Sequence, residues 1–279
     1  MYGSGNIQPN IELFRTKGAT PVVMLHCSAS SGRQWDALSE VLGQRSAVAA
    51  PDQWSCGNRG PWRGLGRFSL SAEAAAVHET IDRLGRPVHL VGHSDGGALA
   101  MHIARCRPDA VASLTLIEPS AFHLLRHSHA ADRAIFGEIA GVARDVDCAL
   151  ENGDAHSGMA RFVDYWSGAG AWDHMSEKAR AKFAPRLEKI ALDFQALFDE
   201  PAELADFADL KLPTVIVRGS LSPAPSRRIV EMLAGALRGA RVEVIFRADH
   251  MSPLSHADTV NCIVAAHIAG LRRFEKRAA

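Results

Sequence analysis

Short apolar runs that do not alternate with polar residues recur along most of the chain, separated by stretches with helical periodicity. A strand that is apolar on both faces needs cover on both sides, which is typical of a parallel sheet packed between helices. We predict such strands at six places, namely residues 22–25, 47–50, 88–91, 114–117, 214–217 and 242–246.

Helical patterns fill the gaps between these runs. We predict helices over residues 36–42, 71–84, 96–106, 227–237 and 257–271. Ser71 is the expected N-cap of the second helix, and Pro108 ends the third. Strand–helix alternation implies right-handed crossovers and an open, twisted sheet. Residues 11–16 alternate and suggest an antiparallel edge strand, so the predicted fold class is α/β with a doubly wound, mostly parallel sheet.

One long segment breaks this rhythm. Residues 118–213 show no convincing strand pattern and are rich in aromatic side chains. A stretch of this length is too long for a loop in a compact domain. We therefore predict a helical cap of residues 120–212 over a core domain of residues 1–119 and 213–279.

The charge balance bears on the class of partner. Lys plus Arg and Asp plus Glu each number 31 among the 279 residues, so the formal net charge is zero. A neutral chain gives no reason to expect a nucleic acid or an anionic membrane as partner. We expect a small-molecule substrate, with the oligomeric state left open between monomer and homodimer.

The cysteine content indicates the compartment. The chain has 5 cysteines, an odd number, and no C-x-x-C pair, which argues against a disulfide framework and a zinc site. Residues 1–10 show no secretory signal, and no apolar run approaches the roughly 20 residues of a membrane helix. We predict a cytoplasmic protein with no metal.

A glycine-flanked serine is the sharpest motif. Gly92-His93-Ser94-Asp95-Gly96 matches the pattern G-x-S-x-G, and Gly97 follows it. A predicted strand ends just before the motif and a predicted helix starts at its end, which is the structural context that supports a nucleophilic serine. The helix N-terminus favours developing negative charge beside the serine. We predict that Ser94 is a nucleophile.

With this motif the chain resembles the α/β-hydrolase superfamily along nearly its whole length. The resemblance is also carried by Leu25-His26-Cys27-Ser28, by residues 51–57 (PDQWSCG) and by Ala248-Asp249-His250-Met251. It implies an α/β-hydrolase fold with a helical cap inserted after the sixth strand. It also implies a serine hydrolase that needs no cofactor.

A serine hydroxyl needs an adjacent base, normally a histidine. The chain has 13 histidines, so we identify the base by its position relative to the predicted strands. His250 follows the last predicted strand by a short loop, where the superfamily places its base. We expect His93 to point away from Ser94 into supporting packing. We expect His26 to hold the loop of the oxyanion hole, and we count it among the substrate-binding residues.

The acid that orients the histidine departs from the common pattern of the superfamily. The loop after the strand ending at Arg218, residues 219–226, contains no carboxylate. Glu118 follows the preceding strand, and it preserves the chain order Ser…Glu…His. We predict a triad of Ser94, His250 and Glu118. A dyad with His250 oriented by a serine, a carbonyl or water stays open, whereas Asp249 is too close in sequence to face His250.

An acyl transfer also needs hydrogen-bond donors for the oxyanion. The superfamily uses the backbone N–H after the nucleophile, here Asp95, and a second one from the loop after an early strand, here Cys27 or Ser28. Many relatives carry glycine where Cys27 stands. We favour Ser28 as the second donor.

Tryptophans are the candidates for the substrate pocket. Trp166 and Trp172 lie in the predicted cap, and Trp35 and Trp54 lie on loops at the carboxyl ends of strands. Core packing is the alternative role for each of them. A cap over Ser94 must expose apolar surface to the substrate, so we predict a largely apolar acyl or alcohol pocket.

Together these features predict hydrolysis of a carboxylic ester or lactone through an acyl-enzyme on Ser94. The same scaffold hosts amide and carbon–carbon bond hydrolases and cofactor-free haloperoxidases, and these stay open. The missing carboxylate after Arg218 leaves a low-turnover ligand-binding protein as a further alternative. Epoxide hydrolases and dehalogenases do not fit, because they carry Asp where Ser94 stands.

Overall fold

A computed structural model describes residues 19–126 and 128–278. Within them lies one six-stranded sheet, in which every neighbouring pair is parallel. The spatial order is β2-β1-β3-β4-β5-β6. The strands are β1 Val22–Leu25, β2 Val48–Ala49, β3 Val88–His93, β4 Val111–Ile117, β5 Thr214–Gly219 and β6 Arg241–Ile245. The predicted parallel sheet is confirmed, and the strand predicted over residues 11–16 lies outside the described residues.

Helices connect the strands. Those outside the long segment between β4 and β5 are α1 Asp36–Gly43, α2 Leu70–Leu84, α3 Asp95–Cys106, α10 Ala224–Ala236, α11 Ser252–Ser255 and α12 Ala257–Ala278. The predicted N-cap Ser71 is wrong. Ser69 caps α2 instead, because its side chain accepts a hydrogen bond from the backbone N–H of Ala72 at 3.2 Å.

The segment between β4 and β5 is helical, as predicted, and no strand occurs in its described residues. We call residues 123–207 the helical insert. Its helices are α4 His123–Arg126, α5 Ala130–Glu151, α6 Ala155–Ser167, α7 Ala171–His174, α8 Glu177–Phe183 and α9 Leu187–Asp199. The insert follows the fourth strand of the described sheet. Its expected position after a sixth strand stays a prediction, because residues 1–18 lie outside the described residues.

Both faces of the sheet are covered, which explains the apolar runs in the sequence. Every residue of β1 and β3 is buried. One apolar cluster includes side chains of α2, α3 and the insert, and a second includes side chains of α1 and α12. Strand β6 lies at an edge of the described sheet, and its residues are largely exposed.

The strand register decides which loops meet. Strands β3 and β4 are neighbours, and His93 at the end of β3 pairs with Ile117 at the end of β4. The residues that follow them, Ser94 and Glu118, therefore leave the sheet side by side at the carboxyl edge. Strands β5 and β6 lie next to β4, so their following loops reach the same edge.

Candidate active site

Ser94 occupies a strained turn between β3 and α3. Its φ is +56°, which a non-glycine residue rarely adopts, and its side chain is 7% exposed. Its backbone N–H donates to the carbonyl of Ile117 at 2.9 Å. A Cβ on Gly92 would lie 2.2 Å from the carbonyl oxygen of Gly96, so this approach of strand and helix requires glycine.

Glu118 lies in a second strained turn on the neighbouring strand. Its φ is +49°, and its side chain is fully buried. Its backbone N–H donates to the carbonyl of Val217 in β5 at 2.8 Å. The two turns are joined because the backbone N–H of Ser120 donates to the carbonyl of Ser94 at 3.0 Å. Main-chain bonds therefore hold both side chains in place.

The structure brings Ser94, His250 and Glu118 into one row. The Ser94 Oγ lies 2.8 Å from the Nε2 of His250, and the Nδ1 of His250 lies 3.3 Å from the Oε2 of Glu118. A carboxylate accepts, so the tautomer that satisfies this row carries its hydrogen on Nδ1 and accepts from Ser94 at Nε2. This is the arrangement that activates a serine hydroxyl.

The loop after β5 has no carboxylate of its own and binds the carboxylate of Glu118, which follows β4. The Oε1 of Glu118 accepts hydrogen bonds from the backbone N–H of Gly219, at 2.6 Å, and from the hydroxyl of Ser222. Ser226 in α10 places its Oγ 3.4 Å from the Nδ1 of His250, which is the serine neighbour that a dyad would use. Asp249 accepts from the backbone N–H of Met251 at 2.9 Å, so its carboxylate is bonded within its own turn.

His93 supports His250 from behind. Gln34 Nε2 can only donate, so the Nδ1 of His93, 3.0 Å away, accepts. The Nε2 of His93 then carries the hydrogen and donates to the carbonyl of His250 at 2.9 Å. Burial and the nearby His250 lower the pKa of His93 to about 3, so its ring is neutral in this network.

His26 holds the loop after β1. Its Nδ1 donates to the carbonyl of Cys27 at 2.8 Å, and its Nε2 accepts from the backbone N–H of Gln53 at 3.1 Å. Burial lowers its pKa to about 4, which keeps the ring neutral. His26 is fully buried and is not among the residues that line a cavity at Ser94.

The backbone donors of this loop differ in their availability. The N–H of Cys27 donates to the Oε1 of Gln34 at 3.1 Å, so it is already used. Ser28 lines a cavity together with Ser94. Burial raises the pKa of the Cys27 thiol to about 12, so the thiol is protonated.

Two cavities meet at Ser94. The larger measures about 220 Å³ and is bounded by the loop after β1, by α6 and by the residues around His250. The smaller measures about 10 Å³ and lies between Ser94, Ser28 and helix α9. A separate surface cavity of about 840 Å³ runs beside α1 and β2, and Ser94 and His250 do not line it.

Of the four predicted pocket tryptophans, only Trp166 lines a cavity at Ser94. It lies in both, and its ring stacks on the His250 imidazole with centroids 3.9 Å apart and planes at 28°. Trp35 packs in the apolar core against α1 and α12. Trp172 is 1% exposed and donates to His156, whereas Trp54 packs against Trp62. Placing these three in the pocket was wrong, because each is used in packing.

Several site residues were missed by the sequence reasoning. Their side-chain contacts cannot be predicted from a local sequence pattern, because their partners are distant in sequence. Only the serines of the loop after β5 stood in a segment already singled out for its lack of a carboxylate. The missed residues are Gln34, Ser120, Asp193, Ser222 and Ser226.

The described residues contain neither a candidate metal site nor a candidate membrane span. No group of three or more His, Cys, Asp or Glu side chains there could hold a metal ion. None of the described helices combines the length and the low polarity that a membrane span requires.

Comparison with known proteins places the chain among hydrolases. A sequence model described as the alpha/beta hydrolase family matches residues 22–261. Lipase LipV of Mycobacterium tuberculosis is 36% identical over 115 residues, which cover 41% of this chain and 42% of that protein. Monoacylglycerol lipase abhd6-B of Xenopus laevis is 25% identical over 82% of this chain and 69% of that protein.

Solved structures show the same fold. A hydrolase from Pseudomonas aeruginosa superposes with a TM-score of 0.71 at 22% sequence identity. The superposition covers 89% of this chain and 90% of that one. At this identity the likeness concerns the fold alone.

Proposed function

The chain belongs to the alpha/beta hydrolase family, and we propose that within it the protein is a serine hydrolase that cleaves a carboxylic ester or lactone. The observation that carries the proposal is the row of Ser94, His250 and Glu118, with Ser94 2.8 Å from the base. The names of the two lipases similar to this chain support ester cleavage. The chain aligns with less than half of LipV, so the bond and the substrate belong to the proposal.

In the first half of the reaction, the Oγ of Ser94 attacks the carbonyl carbon while the Nε2 of His250 takes the hydroxyl proton. The negative charge of Glu118 stabilises the imidazolium and keeps its Nδ1–H directed away from Ser94. The tetrahedral intermediate collapses, and His250 returns the proton to the leaving alcohol. An acyl-enzyme on Ser94 remains.

In the second half, water enters where the alcohol has left. His250 takes a proton from the water, whose oxygen attacks the acyl carbon, and the Ser94 oxygen leaves and regains the proton from His250. The same row of side chains thus serves both halves without a cofactor.

The oxyanion is held, in this proposal, by the backbone N–H groups of Asp95 and Ser28. Asp95 is the first residue of α3, where the free N–H groups and the helix dipole favour negative charge. The Cys27 N–H is engaged by Gln34, which supports Ser28 as the second donor. Loss of one such donor typically costs roughly 3 kcal/mol of transition-state stabilisation.

The substrate is proposed to be a small and largely apolar ester. The larger cavity is walled by Phe162, Val163, Met175, Phe183 and Trp166, all from the helical insert. Four of these five residues lie on α6 and α8, so the insert supplies the apolar surface that a capping domain of residues 120–212 is expected to supply. A division of the chain into this cap and a core domain is part of the proposal.

The decisive experiment combines a fluorophosphonate probe with turnover of p-nitrophenyl acetate. We expect wild type to be labelled and active, and Ser94→Ala to lose both properties. Ser255→Ala is the matched control, because Ser255 is an exposed serine on the neighbouring helix α11. Labelling and turnover that do not depend on Ser94 would refute the enzyme and favour a ligand-binding protein.

A further inference from the structure

Asp193 is a buried carboxylate that the reaction outlined above does not use. It lies in α9 of the helical insert, is 2% exposed, and lines the small cavity that also includes Ser94. The other walls of that cavity on the insert side and beside Ser120 are apolar, formed by Phe122, Phe162, Trp166, Ile190, Phe194 and Leu197. One acidic side chain therefore stands in a recess that it shares with Ser28, Ser94 and Ser120 and whose other walls are apolar.

Only one of the two carboxylate oxygens of Asp193 is paired. Its Oδ1 contacts the Nζ of Lys189, one helical turn earlier, and Lys189 also lies 3.3 Å from the Oε2 of Glu73 in α2. The Oδ2 of Asp193 makes no hydrogen bond within the part of the chain that the structure describes. A buried carboxylate oxygen without a donor is costly, and it indicates a site where a polar group binds.

The position of Asp193 relates it to the substrate carbonyl. The Ser28 side chain lies close enough to lower the pKa of Asp193, against the larger upward effect of burial. Ser28 also lines both cavities, and its N–H is the second oxyanion donor of the proposed function. Asp193 thus lines the same small cavity as the nucleophile Ser94 and the residue that carries the proposed second oxyanion donor.

The charges around Asp193 indicate which chemistry fits. Burial and the Asp193 charge raise the pKa of Asp95. The Nζ of Lys189 already contacts the Asp193 carboxylate, so a substrate ammonium group is disfavoured there. A substrate carboxylate is repelled by Asp193 itself. A neutral donor remains.

We propose that the small cavity is a subsite for a hydroxyl group on the acyl part of the substrate, which donates to the Oδ2 of Asp193. The inference rests on the proposed function and narrows its substrate to short hydroxyacyl esters. The cavity of about 10 Å³ has room for one small polar group. The alcohol part then occupies the cavity of about 220 Å³.

The test compares matched esters in a pH-indicator assay. Ethyl lactate is paired with ethyl propionate, and ethyl 3-hydroxybutyrate with ethyl butyrate, so that each pair differs by one hydroxyl. We expect wild type to prefer the hydroxy ester of at least one pair by about tenfold or more in kcat/KM, because the analogue leaves Asp193 without a partner. Asp193→Ala should abolish the preference, which is read as the ratio of kcat/KM between the two members of each pair.

Asp193→Asn serves as the second variant, because it preserves the side-chain volume if the alanine variant fails to fold. Lys189 retains Glu73 as an acidic partner in both variants. We expect the asparagine variant to lower the preference at least about threefold, since an amide oxygen accepts more weakly than a carboxylate. Thermal unfolding of each variant, measured in parallel, identifies a loss of fold.

Three results would overturn the inference. They are equal hydrolysis of both members of each pair by wild type, a preference that survives in Asp193→Ala, and a preference unchanged in Asp193→Asn. In each of them the proposed function stands if p-nitrophenyl acetate is still cleaved through Ser94. Absence of turnover on every ester, together with absence of fluorophosphonate labelling, refutes the proposed function and the inference with it.

Discussion

The sheet and the helical insert hold their site residues in different ways. Ser94 and Glu118 are placed by the backbone, in turns with φ of +56° and +49° that hydrogen bonds to neighbouring strands maintain. Trp166 and Asp193 are placed by side-chain stacking and an ion pair on helices α6 and α9. We infer that substitutions at the sheet edge lower the rate of the chemical step. Substitutions in the insert should change which substrates are preferred and should lower kcat by smaller factors.

The largest effect is expected at Glu118. Glu118→Gln keeps the shape of the side chain but removes the charge that stabilises the His250 imidazolium, so kcat should fall roughly 10⁴-fold. The measurement is steady-state turnover of p-nitrophenyl acetate, with Asp249→Asn as the control carboxylate neighbour. A loss under about tenfold with the fold intact contradicts the triad, and Ser226→Ala would then test the dyad.

The next effect concerns stability at the sheet edge. The folded-state pKa of His93 is about 3, below the ordinary histidine value of 6.5, so its neutral form contributes stability above pH 6.5 that is lost as the pH falls towards 3. At pH 5 this single group should cost about 2 kcal/mol of the unfolding free energy relative to pH 8.

His93→Gln checks this effect by urea unfolding at pH 8 and pH 5. The variant lacks the titrating ring, so its unfolding free energy should fall less between the two pH values than that of wild type, by about 2 kcal/mol. Equal falls in the two proteins would show that His93 is not the group responsible. His26, whose pKa of about 4 acts in the same direction, titrates in both proteins.

Trp166 sharpens the comparison because it belongs to the insert and contacts the base. The stack at 3.9 Å should favour the imidazolium that forms during the reaction, since a desolvated cation–π contact contributes up to about 2 kcal/mol. We expect Trp166→Leu to lower kcat by about tenfold and Trp166→Phe to lower it less. Trp172→Phe is the control, because Trp172 bonds to His156 and is not in the cavities. An unchanged kcat in Trp166→Leu would contradict a role of the Trp166 stack, and with it of the insert, in the chemical step.

The smallest effect is expected at Cys27. Its thiol, with a pKa of about 12, is protonated at neutral pH, and its backbone N–H rather than its side chain is bonded to Gln34. Cys27→Ala should change kcat/KM less than about threefold, and iodoacetamide should react slowly with wild type. Activity abolished by Cys27→Ala as completely as by Ser94→Ala would assign the thiol a direct role.

Local patterns were enough to predict the fold class. Strands that are covered on both faces need apolar residues on both faces, and the sequences of β1, β3, β4 and β5 are accordingly apolar runs. The boundaries were less predictable, since α2 begins at Leu70 after Ser69 and not after Ser71. Two serines near one helix start both satisfy the capping pattern, and packing chooses between them. The cytoplasmic location rests on the cysteine content and on the lack of a recognisable secretory signal in residues 1–10, and it stays a prediction.

For the site, the sequence by itself determined the serine turn. Ser94 needs glycines at fixed neighbouring positions, because a Cβ on Gly92 would lie 2.2 Å from the carbonyl oxygen of Gly96. This requirement can be recognised in the sequence, since the residues concerned lie close together along the chain. Tertiary structure alone decided the contacts of Glu118 with Ser222 and His250, which are 104 and 132 residues away along the chain. It also decided that Trp166 reaches His250 while Trp35 and Trp172 pack in the core. A turn between residues that are adjacent in sequence is encoded locally. The partner of a buried side chain depends instead on which elements the sheet register and the helix packing bring to the same edge of the sheet.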